Sequence, residues 1–496
     1  MAVKVDTQKE IIFGSSNPNI SRVISKKEKD GELRKLAPRI YTTNLIDSPA
    51  NIVRRNLIEI LAYRYPNALI SHRSAKEMRP TSTGDFFLTN STTRRVTDLP
   101  GIILNFVKGP KATAHDIPFM GIHISGEHRY MLENMQLSRK TGDESRVLPI
   151  SVIENKLEQL LLTGGEERLN QYRDELREVA NELGMADEFS KINNIISALL
   201  STHDARVLST DSAKARASGN PFDANRVGLF EILFDTIKDR YFVIRTNRNT
   251  DEDSFRLFSF FESYFSNYIE GTEFDIEEAK EIVDSGIPMP RRDEDSHDIL
   301  GTFKILSNRT EMRRVPTSPE ELFAILSHRH TILLEGRPHM NPGVFKMRNN
   351  RAGQTEFVDY QLVKGTLSQG FKYYSALTDP FARAIFMMFM ISEVHPFNDG
   401  NGRIARVMMN AEFVRADQSR IIVPTVFRED YILALRKLTR HKDPMAYINV
   451  MTKLHQFSDN LYGTDFTELK NYLAACNAYE EPSQAKLQII DRSIRH

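Results

Sequence analysis

The residues best suited to chemistry lie in one twelve-residue segment, His395-Pro-Phe-Asn-Asp-Gly-Asn-Gly-Arg-Ile-Ala-Arg406. Glycines at 400 and 402 allow positive φ and remove side chains, so consecutive N–H groups can turn inward as an anion nest. Arg403 and Arg406 can fork onto separate phosphates. Asp399 is a hard oxygen ligand suited to a Mg2+ ion that keeps waters and bridges phosphates. His395 has an unperturbed pKa near neutrality, which suits taking a proton from an incoming hydroxyl. In-line attack on phosphorus needs that set of parts: base, metal and cationic clamps.

Two helices must hold this segment. Phe381 to Val394 (FARAIFMMFMISEV) is apolar nearly throughout, which predicts a helix buried over most of its surface, with its methionines as core filler. Pro396 and the glycines stop that helix, and Arg403 to Glu412 starts another, whose positive N-terminus would face the same spot. A plain turn between buried helices would carry turn residues, whereas this one adds His, Asp, two Asn and two Arg.

At every specified position the segment resembles the defining motif of the Fic family, His-x-Phe-x-Asp/Glu-Gly-Asn-Gly-Arg-x-x-Arg, and the likeness extends over residues 225–455. The resemblance implies a mainly α chain: an all-helical Fic catalytic core with a small β-hairpin flap. It also implies an adenylyltransferase (AMPylation) activity, moving AMP from ATP to a Tyr, Ser or Thr hydroxyl of a target protein, the chain itself included. By the same likeness His395 is the base and Asp399 the Mg2+ ligand, while Asn398, Gly400, Asn401 and Gly402 belong to the nucleotide-binding set. Arg403 and Arg406 grip the β and γ phosphates. Relatives that transfer phosphate carry lysine where this chain has Gly402, which favours ATP held for AMP transfer, although users of CDP-choline and UTP exist in the family.

Met340–Lys346 through Thr355–Val358 looks like the flap, a hairpin that aligns a target peptide as an added strand. Tyr431 falls where relatives place an aromatic beside the adenine, and a core position suits it equally.

Ser266-Asn-Tyr-Ile-Glu270-Gly271 is similar to the family's inhibitory motif, Ser/Thr-x-x-x-Glu-Gly/Asn. The pattern recurs at Thr331-Ile-Leu-Leu-Glu335-Gly336, where a helix end with a glycine C-cap explains it. The first copy ends an amphipathic helix upstream of the core, so Ser266 and Glu270 are the expected brake. A carboxylate there would pair with Arg406 and take the cation meant for the γ phosphate.

The chain has 496 residues, enough for about two to four domains. Its 66 basic and 66 acidic residues balance, so attraction to nucleic acid or membrane must come from local clustering. A single cysteine, Cys476, excludes an intrachain disulfide and fits a reducing cytoplasm. The opening MAVKVDTQKE lacks the apolar core of a signal peptide, and the longest apolar run, Ala384–Ile391, is far short of the ~20 residues that span a bilayer. A cytoplasmic protein is expected.

Composition, patterning and the Fic resemblance together predict six regions: an α+β winged-helix-like region to residue 120, a helical extension over 121–201 with a turn at Gly164-Gly165, and a polar linker over 202–225. A helical region with the inhibitory motif (226–300), the Fic catalytic domain (301–458) and a helical tail (459–496) follow. Between Arg22 and Arg39, seven basic residues stand against three acidic ones in a helix followed by a strand pair. Winged helix-turn-helix modules approach DNA phosphates in that way. Residues 8–200, with Gly31–Leu36 and Ser71–Ala75, resemble the N-terminal region of abortive-infection antitoxins, which implies DNA binding through Arg22, Lys26, Lys27, Lys29, Arg34 and Lys35. His72 is expected to be structural. The alternative functions are therefore a DNA-binding regulator whose Fic domain senses nucleotide, and removal of AMP from the same target. Many Fic relatives form dimers or tetramers that gate the brake, so a homo-oligomer is a further expectation.

Overall fold

The computed structural model describes residues 8–200, 205–353 and 355–492. The chain divides into two compact units, one ending at Ser218 and the other beginning at Gly219.

The first unit opens with β1 (Ile11–Phe13), α1 (Pro18–Lys29), β2 (Arg34–Ala37) and β3 (Ile40–Thr42), in an antiparallel sheet of order β1-β3-β2. Asn17 starts α1 by accepting the Asn19 N–H, Pro18 presets the first turn, and three lysines in the last turn complement the helix dipole. Ile12, Ile24 and Leu33 form the small core beneath it. Helices α2 (Pro49–Arg55) and α3 (Leu57–Arg64) lead into a separate, mixed six-stranded sheet. Its strands are β4 (Leu69–Ile70), β5 (Asp85–Asn90), β6 (Arg94–Leu99), β7 (Ile102–Lys108), β8 (Ile117–Phe119) and β9 (Ile122–Ile124), in the order β6-β7-β5-β4-β9-β8. Helices α4 (His72–Glu77) and α5 (Glu127–Glu133) pack together beside it. His72 is buried there, with Glu133 accepting its backbone N–H at 2.9 Å.

The span α6 (Ile150–Leu183) is interrupted at the expected turn: Gly165 (φ 68°, ψ −171°) is non-helical and separates two helical stretches. Helix α7 (Ala186–Leu199) follows. Within the polar stretch 202–225, Thr210 caps α8 (Asp211–Ala217), and Leu208 and Ala213 are buried in the core of the first unit. Much of that stretch is therefore folded, because two apolar residues and a cap suffice to anchor a short helix. Residues 201–204 lie outside the described residues.

The second unit is helical apart from one hairpin, β10 (Arg351–Ala352) with β11 (Thr355–Glu356). Before the hairpin come α9 (Ala224–Ile237), α10 (Glu252–Ile269), α11 (Ile276–Ser285), α12 (Asp293–Leu306), α13 (Arg309–Met312) and α14 (Pro319–Leu333). After it come α15 (Val363–Ala376), α16 (Pro380–Val394), α17 (Asn401–Arg415), α18 (Arg428–His441), α19 (Pro444–Ser458) and α20 (Phe466–Ala475). Helix α16 is the hub. Between Phe381 and Val394 only Arg383 and Ser392 escape full burial, and each large side chain so buried contributes up to about 1.5–3 kcal/mol. Gly370 lets α15 approach it, since a Cβ there would stand 2.5 Å from Met390 Sδ. Among the described residues no helix is long and apolar enough to cross a membrane.

Candidate active site

The end of α16 creates the site. His395 takes a left-handed conformation (φ 51°, ψ 61°) as the C-cap, and its N–H still reaches Ile391 O at 2.9 Å. Proline at 396 disfavours helical geometry for the residue before it, so the chain turns there. His395 Nδ1 lies 3.2 Å from Ser392 O. A proton on Nδ1 satisfies that carbonyl and leaves Nε2 with its lone pair. Phe357, just past β11, stacks on the ring with centroids 3.5 Å apart. Burial holds the imidazole pKa down at about 4, so it is neutral at pH 7.

Buried partners brace the loop from below. Gly343 N–H donates to His330 Nδ1 at 2.8 Å, which leaves His330 Nε2–H to donate to Asp399 O at 3.0 Å. The His330 ring also stacks on Phe397. Asn401 accepts the Phe397 N–H at 2.8 Å and donates to Phe397 O at 2.9 Å. Both ends of its amide are thereby engaged in closing the loop. Asn398 Nδ2 donates to Met340 O at 3.3 Å, and Lys346 N–H to Pro396 O at 2.8 Å, so the segment before the hairpin is tied to the loop. Gly400 (φ 70°) is the N-cap of α17.

Helices α10 and α17 meet along a polar seam with four-residue spacing on both sides. Glu262 accepts from Asn410 Nδ2 at 2.7 Å. One turn on, Arg406 donates Nε to Ser266 Oγ at 3.0 Å and Nη2 to Ser266 O at 2.8 Å. A further turn on, Glu270 Oε1 accepts from Arg406 Nη2 at 2.6 Å and sits over Gly402, where a Cβ would lie 2.2 Å from it. Any side chain at 402 would make this carboxylate shift. Burial raises the Glu270 pKa, but Arg406, with Arg403 behind it, more than offsets this and holds it below the ordinary carboxylate value. Glu335, in the second copy of the pattern, is exposed and pairs with Lys304 at 3.2 Å. Gly336 is no left-handed C-cap, as had been expected. It lacks positive φ, and its missing Cβ leaves room for His297 of α12.

Arg403 has a partner that its spacing did not reveal. Its Nη1 lies 2.8 Å from buried Asp298 of α12, and Arg337 holds the same carboxylate with Nη2 at 2.8 Å. Nothing in the sequence pairs residue 298 with 403, and the same is true of His330. Arg403 Nε is buried without a hydrogen-bond partner among the described residues, an orphan donor beside this loop. Tyr431 is buried, its hydroxyl 3.7 Å from Met388 Sδ and close to Arg406.

Asp399 is less committed: its side chain is 39% exposed, with Arg403 Nη2 at 3.7 Å. Among the described residues there is no group of three His, Cys, Asp or Glu that could hold a metal alone. One open carboxylate beside an anion nest fits a Mg2+ whose other ligands are waters and phosphate oxygens.

The model of the Fic/DOC family matches residues 318–412, which contain this loop, all of α16 and most of α17. Among curated proteins, the protein adenylyltransferase fic-1 of Caenorhabditis elegans is 30% identical over 115 residues, 23% of this chain and 22% of that protein. The protein adenylyltransferase Fic of Nematostella vectensis is 24% identical over 214 residues, 40% of this chain and 47% of that protein. The chain thus spans less than half the length of these relatives. Among solved structures, Fic-1 (residues 134–508) of C. elegans aligns over 66% of this chain and 92% of its own, with a TM-score of 0.36 and 17% identity. Glu270 and Asp298 lie outside the matched stretch, Asp298 on α12 and Glu270 at the end of α10.

Proposed function

We propose that the chain transfers AMP from ATP to a hydroxyl of a target protein and is held inactive by Glu270. The observation that carries this reading is a neutral histidine at the lip of an anion nest backed by two arginines. His395 Nε2 takes the proton of the target Tyr, Ser or Thr as its oxygen attacks the α phosphorus. The bond from that phosphorus to the bridging oxygen breaks, and pyrophosphate leaves. Arg403, through its unpartnered Nε, and Arg406 receive the charge that develops on the leaving group. Asp399 would hold Mg2+, which supplies charge neutralisation for the triphosphate when bound.

At rest Arg406 is taken by Glu270, so ATP that enters finds no cation for its γ phosphate. Removal of AMP uses the same site with water in place of the hydroxyl, and Glu270 would position that water. The test is labelling of host lysate by α-32P-ATP. The Glu270→Gly chain is expected to label target bands, and adding His395→Ala to abolish labelling while ATP still binds. Undiminished labelling in the double variant would place the base elsewhere.

A second reading concerns the first unit, as a DNA-binding module. Among the described residues Arg22, Lys26 and Lys29 project from α1 without acidic partners, and Lys35 is exposed on β2. Lys27 is paired with Glu32, and Arg34 donates to Asn44 O, so those two contribute less than their charge suggests. Duplex binding that weakens steeply with salt, and is lost in Arg22→Ala/Lys26→Ala, supports this role. Salt-independent or absent binding removes it.

A further inference from the structure

The hairpin beside His395 is ringed by cations that the chain itself does not neutralise. Arg348 stands before β10 and Arg351 opens it, while Arg440 and Lys442 lie at the end of α18. Arg440 Nη2 donates to Thr355 Oγ1 of β11 at 2.9 Å, which brings that helix end against the hairpin. All four are exposed, and none has an acidic partner among the described residues. The acids nearby are already occupied. Asp359 accepts from Asn349 Nδ2 and the Gln361 N–H, Asp443 caps α19, Asp223 caps α9, and Glu393 is buried under Arg226 and Thr439. Glu356 alone is open. Four unmatched cations against one carboxylate is a strong local imbalance in a chain whose 66 basic and 66 acidic residues cancel.

Two clefts reach this loop. One, of about 600 Å3, is lined by Arg440, Lys442, Thr355 and Phe357, the ring stacked on His395. The other, of about 420 Å3, is lined by Val344, Met347, Arg348 and Asn398 of the catalytic loop. Val344 and Met347 are 49% and 68% exposed, apolar side chains left open next to polar ones. Exposed cations on their own usually just meet solvent. These flank Phe357, the ring stacked on the imidazole, and border a strand pair with a free edge, where an incoming segment would pass.

We propose that this rim selects the target: the hydroxyl is presented on a segment with aspartate or glutamate beside it, and a neighbouring apolar side chain enters the cleft of Val344 and Met347. Arg351, Arg440 and Lys442 receive the carboxylates, which steers encounter and fixes which residue faces His395. The proposal rests on the AMP-transfer reading for the identity of its partner, but binding tests it without turnover.

Two fluorescent twelve-residue peptides, each with one central threonine and one leucine, would be titrated into the full Glu270→Gly chain without nucleotide. In one the flanking positions are Asp and Glu, and in the other they are Lys. The acidic peptide is expected to bind about tenfold more tightly at low salt, a margin that several exposed charge pairs together supply. The margin should shrink at 0.5 M salt and reverse in Arg351→Glu/Lys442→Glu, two positions whose side chains have no hydrogen-bond or ion-pair partner among the described residues. In Met347→Asp the acidic peptide should weaken as well, while circular dichroism stays unchanged. Equal binding of the two peptides, a preference untouched by the charge reversal, or capture of a single-stranded oligonucleotide in preference to the acidic peptide would overturn the proposal. Failure of AMP transfer with the peptide preference intact would instead count against the catalytic reading alone.

Discussion

Two segments of the second unit share one six-residue pattern and have opposite surroundings. Ser266–Gly271 ends α10, with Ser266 buried and Glu270 on Arg406 of the catalytic loop. Thr331–Gly336 ends α14, where Thr331 and Glu335 face outward and Glu335 meets only Lys304. Even the glycines differ: Gly271 takes φ 94° with open space around it, and Gly336 has ordinary φ but is packed against His297. A short pattern thus says little by itself. The phase of the seam between α10 and α17 decides which carboxylate meets the phosphate clamp. That phase is set by Glu262, which Asn410 and Arg420 hold two turns before Glu270.

Exchanging each glutamate for glycine is the most direct way to break this comparison. Glu270→Gly is expected to raise AMP transfer by about ten- to a hundredfold, the factor that 1.4–2.8 kcal/mol of released competition represents. The same change should lower unfolding stability by about 1–3 kcal/mol, because it strands a buried arginine whose partner was 36% exposed. ATP should restore part of that loss. Opposite signs for activity and stability mark a brake, and a fall in both in denaturant melts and transfer assays would show a merely structural pair.

The pH profile of the released enzyme sharpens the same contrast. Burial keeps the His395 pKa near 4, below the ordinary 6.5, so the base stays deprotonated as pH falls through the window in which a solvated histidine is lost. Transfer by Glu270→Gly is expected to drop less than about twofold between pH 7.5 and 5.5, where an ordinary histidine would lose about tenfold. An acid limb centred near pH 6.5 would mean that releasing the brake opens the site to water. The smallest effect belongs to the other copy. Glu335→Gly should leave transfer within about twofold and stability within about 0.5 kcal/mol, as for most exposed ion pairs. A rise in transfer like that of Glu270→Gly would show that both segments touch the clamp.

Legibility followed the range of the interactions. The apolar run of α16, the break at Pro396 and the glycines at 400 and 402 are local, and each produced the element its chemistry requires. The turn at Gly164-Gly165 is local too, and Gly165 takes the non-helical conformation that divides α6 into two stretches. The stretch 202–225 misled through its polarity, since Leu208 and Ala213 are enough to fasten α8.

By itself, then, the sequence determined the presence of the parts that the proposed chemistry needs: the histidine, the acid, the glycines and the two arginines are all contained within residues 395–406. Tertiary structure decided what those parts do at rest. Glu270 lies 136 residues before Arg406, and Asp298 comes from another helix to hold Arg403. His330 reaches the loop from α14, and the cations of α18 reach the hairpin. Such pairings depend on helix phase and packing depth, which have no local spacing to betray them.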